Sequence, residues 1–191
     1  MTPIELKQRL NSGRLNKVRI NQLVQYLTQH PDLTKPLLEE VFLQDATGES
    51  FNASWVFDHL MRKKLEYLLP HLRIYIEGTA NLQTESCMRP MAHVMELLNE
   101  AYFKHGRSRY TKTITEEQQE QMTSICFDWL IGEHKVATKV FAMTSLFYLG
   151  ERFNWVRPEL KSLLELQIGG GTAGFKSRGG KILEKLKSLG Y

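Results

Sequence analysis

The sequence predicts an all-α protein made of paired helices. Apolar residues recur at spacings of three and four through almost the whole chain, which is the period of one face of an α-helix. No run alternates apolar and polar residues over the length of a strand. In addition, a proline followed two residues later by a leucine stands after a short break in three of the predicted pairs. Proline fits the first turn of a helix, so each proline marks the start of a second helix.

The amino terminus carries the signature of a helix start. Thr2 is the expected cap, Pro3 the first helical residue and Glu5 the capping-box partner. The helix should run to Asn11, and Gly13 should end it. We therefore expect residues 1–13 to form an N-terminal capping helix.

Five later segments each show an apolar helical face, and the last of them opens with a second capping box, from Thr115 to Gln118. The faces are Ile20, Leu23, Val24 and Leu27; Ala53, Val56, Phe57, Leu60 and Met61; Leu68, Leu69, Leu72, Tyr75 and Ile76; Met88, Met91, Ala92 and Met95; and Met122, Ile125, Cys126, Trp129 and Leu130. These positions are predicted to form the core.

The helix pairs also resemble one another. Segments 18–42, 53–76 and 136–165 each combine an apolar helix, a break and the Pro-x-Leu motif, at Pro36, Pro70 and Pro158. A degenerate pair, 86–103 and 115–131, lies between the second and the third. The first two prolines are 34 residues apart and the last two are 88 apart, roughly two longer steps that include an insertion at 104–114. Periods of this size indicate stacked helical pairs that bury each other's apolar faces.

With these motifs the sequence, from about Val18 to Leu189, resembles the HEAT/armadillo-like superfamily of α-α superhelices. The resemblance implies a right-handed superhelix of about four stacked helical pairs, and it implies no particular reaction. We expect one helical-repeat domain over residues 1–191, closed by a basic C-terminal capping helix at 174–191.

Composition narrows the protein class further. With 42% hydrophobic and 24% charged residues, the chain of 191 residues has the make-up of a globular domain. It lacks an apolar run of membrane-spanning length, and its first residues lack the apolar stretch of a secretory signal, so we expect a cytoplasmic protein without a membrane partner. Cys87 and Cys126 lie far apart in apolar surroundings, which predicts buried free thiols.

A glycine-rich stretch, QIGGGTAGFKSRGGKILEKL at 167–186, contains the pattern G-x-G-x-x-G. In a dinucleotide-binding fold this pattern follows a strand, but the residues before it here are helical. A P-loop would need lysine where Phe175 stands. The favoured interpretation is a joint that leads to a final helix docked through Ile182, Leu183, Leu186 and Leu189. In the alternative, the glycines let Lys176, Arg178 and Lys181 approach an anionic partner such as nucleic-acid phosphate.

Positive charge is concentrated at the carboxyl end. Residues 176–191 contain five basic side chains and one acidic side chain, which accounts for the net charge of +4, while the remainder is neutral overall. The insertion KHGRSRYTKT at 104–113 carries Arg107 and Arg109 beside Tyr110. Basic residues interleaved with an aromatic ring can bind phosphates and stack on bases, but the favoured interpretation is a mobile, solvated loop.

Two tryptophans suggest contrasting roles. Trp155 stands between Arg152 and Arg157 at a predicted helix start, so it is either a binding hot spot or a capping contact. Trp129 follows Asp128, and an acid beside an aromatic residue is similar to the DNA alkylation repair glycosylases of the superhelical class. The similarity is confined to this dipeptide, so no catalytic role is carried over, and the register of Trp129 predicts core packing.

The sequence assigns no catalytic residue, cofactor or metal site; its six histidines form no pair spaced by four with each other or with a cysteine. The first hypothesis is a non-enzymatic binding module for a protein partner. The alternative is a nucleic-acid binder, with a small-molecule enzyme as a third class. Candidate binding residues across these hypotheses are Arg107, Arg109, Arg152, Trp155, Arg157, Lys176, Arg178 and Lys181. The partner's identity and the oligomeric state are left open.

Overall fold

Helices form wherever apolar residues recur at helical spacing. The computed structural model describes residues 1–43 and 49–191, and over these ranges the chain is helical without a strand. The α-helices are α1 (Pro3–Leu10), α2 (Lys17–Leu27), α3 (Thr34–Phe42), α4 (Glu49–Lys64), α5 (Leu72–Ala80), α6 (Glu85–Asn99), α7 (Ser108–Thr111), α8 (Glu116–Ile131), α9 (Val136–Leu149), α10 (Val156–Ile168) and α11 (Ala173–Ser188). Tighter 3₁₀ turns at Pro31–Leu33 and Leu65–His71 precede α3 and α5, and a π-helical turn at Glu100–Lys104 extends α6. The prediction of an all-α fold is confirmed.

The predicted capping boxes are confirmed at both helix starts. The Thr2 hydroxyl oxygen accepts a hydrogen bond from the amide of Glu5, and the Glu5 carboxylate accepts one from the amide of Thr2. Thr115 and Gln118 make the same reciprocal pair at the start of α8. These contacts satisfy amide groups that have no partner within the helix.

Two of the three prolines lie in the first turn of a second helix, as predicted, and the third lies just before one. Pro36 and Pro158 are each the third residue of their helix, α3 and α10. Pro70 instead lies in the 3₁₀ turn, and α5 begins two residues later at Leu72. Proline lacks an amide hydrogen and restricts the conformation of the residue before it. A short 3₁₀ turn accommodates such a residue better than the interior of a regular α-helix does.

Contacts within the chain divide it into two compact units. The first unit is Met1–Val94, in which α4 packs on α2 and α3, and α3 also contacts α1 and α5. Its three predicted apolar faces, on α2, on α4 and across Leu68–Ile76, are buried. The Tyr75 hydroxyl donates to the backbone oxygen of Met91 at 2.7 Å, so this buried polar group is satisfied.

The second unit is Met95–Tyr191 and is organised around α9. This helix contacts α8, α10 and α11, and α10 also packs on α11. The predicted face of α8 is buried, including Trp129 at 4% exposure. The expectation of a single domain stays a prediction.

Both cysteines are buried thiols outside any disulfide, as predicted. Burial raises the pKa of the Cys126 thiol to about 12, because the thiolate form would lose its hydration. No helix in the described part of the chain is both long and apolar enough to span a membrane.

Candidate functional site

The glycine-rich stretch joins two helices of the second unit. Ile168 is the last residue of α10, and Thr172 caps α11 by accepting a hydrogen bond from the amide of Phe175. Gly171 leaves room for the Phe175 ring, since a Cβ there would lie 2.8 Å from a ring carbon. The stretch therefore has a structural use that requires no bound phosphate, and the helix before it rules out a dinucleotide fingerprint.

The final helix docks through part of the predicted face. Ile182 and Leu186 are buried, and Gly179 faces α10, where an added Cβ would be in ordinary van der Waals contact with Leu164 at 3.6 Å. Leu183 is half-buried, whereas Leu189 is 51% exposed. The prediction that Leu189 docks is wrong, because α11 ends at Ser188 and Leu189 lies beyond it.

Arg178 contacts other residues of the same chain. Its guanidinium donates to the Glu96 carboxylate at 3.0 Å and to the Thr144 hydroxyl at 2.8 Å. It thereby ties α11 to α6 and α9. Lys176 and Lys181 are exposed on the same helix. The three cations of the predicted phosphate contact thus differ: two face solvent and one holds the fold.

Arg152 and Arg157 also have internal partners. Arg152 pairs with Glu116, and this hydrogen-bonded contact raises the pKa of the guanidinium. Arg157 lies over the rings of Phe147 and Tyr191 and contacts Glu151 at 3.5 Å. Its side chain is 12% exposed, so Arg157 is poorly placed to bind a ligand.

The insertion at 104–114 separates its aromatic residue from its cations. Arg107 and Arg109 are exposed around α7, but Tyr110 is only 3% exposed. The interpretation that Tyr110 stacks on a base is wrong, because its ring is packed inside the protein. One turn of helix turns its apolar side inward and leaves the arginines in water.

Trp155 is the sequence-predicted site residue that opens onto a concave surface. It is 54% exposed, and one face of its ring stacks on Phe127 with ring centroids 5.4 Å apart and planes 19° from parallel. The groove has a volume of about 390 Å³. It is lined by Glu120, Thr123, Ser124, Phe127, Asp128, Phe153 and Trp155, which we call the aromatic groove.

Helical spacing explains the groove's two kinds of surface. Glu120, Ser124 and Asp128 follow one another at intervals of four along α8, which places them on one exposed ridge. Thr123 and Phe127 form the adjacent, buried row. Neither Glu120 nor Asp128 forms a salt bridge with the residues that the structure describes. The groove thus combines an aromatic floor with two uncompensated carboxylates.

The Asp128–Trp129 dipeptide does not form a joint site. Asp128 is exposed at the groove, whereas Trp129 packs in the core. Adjacent residues of a helix project about 100° apart, so only one of the two can face the groove. This arrangement removes the basis for the glycosylase-like interpretation of the dipeptide.

Sequence reasoning missed the acidic side of the groove. Glu120 and Asp128 looked like ordinary solvated positions, because nothing local shows that Trp155 lies beside Phe127, 28 positions away in the chain. The interval of four between exposed polar residues on α8 was the available signal. Within residues 1–43 and 49–191, no group of three histidine, cysteine or acidic residues is placed to hold a metal ion.

Comparisons of the chain with protein-family models, with curated proteins and with solved structures find no match. The resemblance to HEAT/armadillo-like repeats therefore stays a prediction from the sequence.

Proposed function

We propose that this chain is a non-enzymatic helical binding module that holds a protein partner in the aromatic groove. The observation that carries the proposal is a half-exposed tryptophan, Trp155, stacked on Phe127 beside two carboxylates without ion-pair partners among the described residues. Exposed tryptophan set in a concave surface is typical of binding hot spots. The volume, about 390 Å³, is enough for one or two side chains of a partner.

The groove's chemistry selects a partner segment with a basic and a large apolar side chain close together. An arginine or lysine can lie on the free face of Trp155, where the ring quadrupole attracts a cation. Glu120 and Asp128 would neutralise that charge, and Phe127 with Phe153 would contact the apolar side chain. An acidic segment would place like charges together and is disfavoured.

The wider architecture belongs to the same proposal. We expect the helices to continue as a right-handed superhelix of about four stacked pairs in a cytoplasmic protein. The placement of Pro36 and Pro158 in the first turn of a second helix supports this repeat.

A nucleic-acid partner is the second candidate, and exposed cations support it. Lys176, Lys181, Arg107 and Arg109 all face solvent in the second unit. The internal contacts of Arg178, Arg152 and Arg157 weaken it, because those arginines would have to leave their partners to reach phosphate. The fair test of this candidate is therefore Lys176→Glu/Lys181→Glu, which leaves Arg178 in place.

Selection of displayed random 12-residue peptides on the full chain tests the proposal. We expect enriched sequences to combine arginine or lysine with leucine, methionine or an aromatic residue, and to lose about tenfold or more in affinity on Trp155→Ala. Charge reversal by Glu120→Lys/Asp128→Lys should weaken binding to a similar degree. Leu166→Ala and Glu159→Lys/Glu184→Lys are matched controls, since these exposed residues lie outside the groove.

Three outcomes would contradict the proposal. The selection could fail to enrich any sequence, the enriched peptides could bind Trp155→Ala as well as the wild type, or they could be acidic. A labelled DNA duplex is measured in parallel at low and moderate salt. Salt-sensitive DNA binding lost in Lys176→Glu/Lys181→Glu, without peptide binding at the groove, would favour the nucleic-acid function instead.

A further inference from the structure

The first unit contains a second concave site, formed where α1 turns into α2. Its volume is about 270 Å³, and it is lined by Arg9, Ser12, Leu15, Arg19, Gln22 and Leu23. Leu15 and Leu23 are buried and supply an apolar floor. Arg9 and Arg19 also line the site, and both side chains are exposed. We call it the two-arginine pocket.

The segment that forms this pocket is rich in cations. Residues 1–27 contain five basic side chains and a single acid, Glu5. The pKa of Glu5 is lowered, chiefly because its carboxylate accepts a hydrogen bond from the amide of Thr2, so Glu5 is occupied as a helix cap. Lys7 pairs with Glu40 at 3.2 Å, and Arg14 lies over the ring of Phe51.

Arg9 and Arg19 differ from those two neighbours. Neither forms a salt bridge with any residue in the described ranges. Moreover, Lys17 and Arg19 occupy the first turn of α2, which contains no acid. The first turn is the positive end of the helix dipole, where negative groups are favoured and cations are not. No acid within that turn offsets these two cations.

The backbone of the pocket is held in place before any ligand binds. Asn52, a buried residue of α4, donates to the backbone oxygens of Leu10 at 2.7 Å and Gly13 at 2.9 Å. Its side-chain oxygen accepts from the amide of Leu15 at 3.1 Å. Gly13 has φ +89°, which a side chain would strain. A fixed turn lowers the entropy cost of ordering the pocket around a ligand.

We propose that the two-arginine pocket binds a small phosphomonoester whose organic part is apolar. Two guanidinium groups match the charge and the several acceptor oxygens of a phosphate dianion. Leu15 and Leu23 would contact the apolar part, and the Gln22 amide can donate a further hydrogen bond. The Ser12 hydroxyl donates its proton to the backbone oxygen of Arg9, so the phosphate would be held by the guanidinium groups and the Gln22 amide. This site is separate from the aromatic groove, and the proposal does not depend on the groove's function.

Isothermal titration of the full chain tests the proposal, with phenyl phosphate as the probe and inorganic phosphate, benzyl alcohol and a DNA duplex as comparisons. We expect phenyl phosphate to bind more tightly than either inorganic phosphate or benzyl alcohol. Arg9→Gln/Arg19→Gln should weaken it about tenfold or more, whereas Lys176→Gln/Lys181→Gln, with the same loss of charge, should change it by less than about twofold. Arg9→Lys/Arg19→Lys should give an intermediate loss, because lysine keeps the charge but not the planar fork.

Thermal melting of each variant checks that it is folded, which we expect because both arginines are exposed. Absence of phenyl phosphate binding up to about 10 mM would overturn the proposal. So would equal binding by the wild type and Arg9→Gln/Arg19→Gln. DNA binding that is lost in that variant, with no phenyl phosphate binding, would also overturn it and assign the cations to a nucleic-acid surface.

Discussion

Asp58 shows how a single buried carboxylate can organise the first unit. It is 2% exposed, and it accepts hydrogen bonds from Arg62 and from Nδ1 of His93, each at 2.5 Å. Arg62 lies one turn along the same helix, whereas His93 comes from α6. Burying a carboxylate costs free energy unless such partners satisfy it, so Asp58 links two helices through its donors.

We predict that Asp58→Asn lowers the free energy of unfolding by about 1–3 kcal/mol. The amide keeps the shape of the side chain but turns an NH₂ group toward at least one of the two donors. Arg62 is half exposed and can be solvated, so most of the loss should come from the contact with His93. Urea denaturation measures the change.

Asp128→Asn is the matched control, because Asp128 is an exposed carboxylate without a salt bridge to the described residues. It should change stability by no more than about 0.5 kcal/mol. Equal effects of the two substitutions would show that the hydrogen bonds of Asp58 add nothing to the fold.

At the scale of the helices, replacing glycine with alanine should have opposite effects on stability at two positions, Gly78 and Gly180. A Cβ on Gly78 of α5 would lie 2.4 Å from the ring of Phe42 on α3, so alanine forces these helices apart. Gly180 in α11 has no neighbour within 4 Å of an added Cβ. Gly78→Ala should destabilise the protein by about 1–3 kcal/mol through overpacking. Gly180→Ala should stabilise it by about 0.5–1 kcal/mol, since glycine is unfavourable within a helix.

Urea denaturation of both variants beside the wild type measures these changes. A stabilising Gly78→Ala would mean that Phe42 moves aside at little cost, so that α3 and α5 are not closely packed. A destabilising Gly180→Ala would mean that this face of α11 is covered by something outside the described contacts.

For the chain as a whole, the sequence was informative about what is local and periodic. The capping boxes at Thr2 and Thr115 and the buried face from Met122 to Leu130 follow from spacing within one helix, and each is confirmed. Tyr110 misled because one short helical turn in the insertion is enough to bury a ring. Leu189 misled because the periodic pattern extends beyond the end of α11.

The candidate sites depend on contacts between residues that are remote in sequence. Arg178 meets Glu96 across 82 positions, and Trp155 meets Phe127 across 28. Periodicity carries no information about such pairs. The sequence therefore could not distinguish cations that pair within the protein from cations that are exposed to solvent. Similarly, the net charge of residues 1–175 is zero. This sum does not reveal the local excess of basic side chains within residues 1–27.

The central claim is that the exposed face of Trp155 receives a basic, apolar segment of a protein partner. The most direct test is the ¹H–¹⁵N spectrum of the three tryptophan indole groups as a selected peptide is added. The signal of Trp155 is identified by its absence in Trp155→Phe. Our account predicts that this signal shifts with the peptide, while those of Trp129, which is buried, and Trp55, whose indole nitrogen is buried, stay in place. An unmoved Trp155 signal at saturating peptide would contradict it.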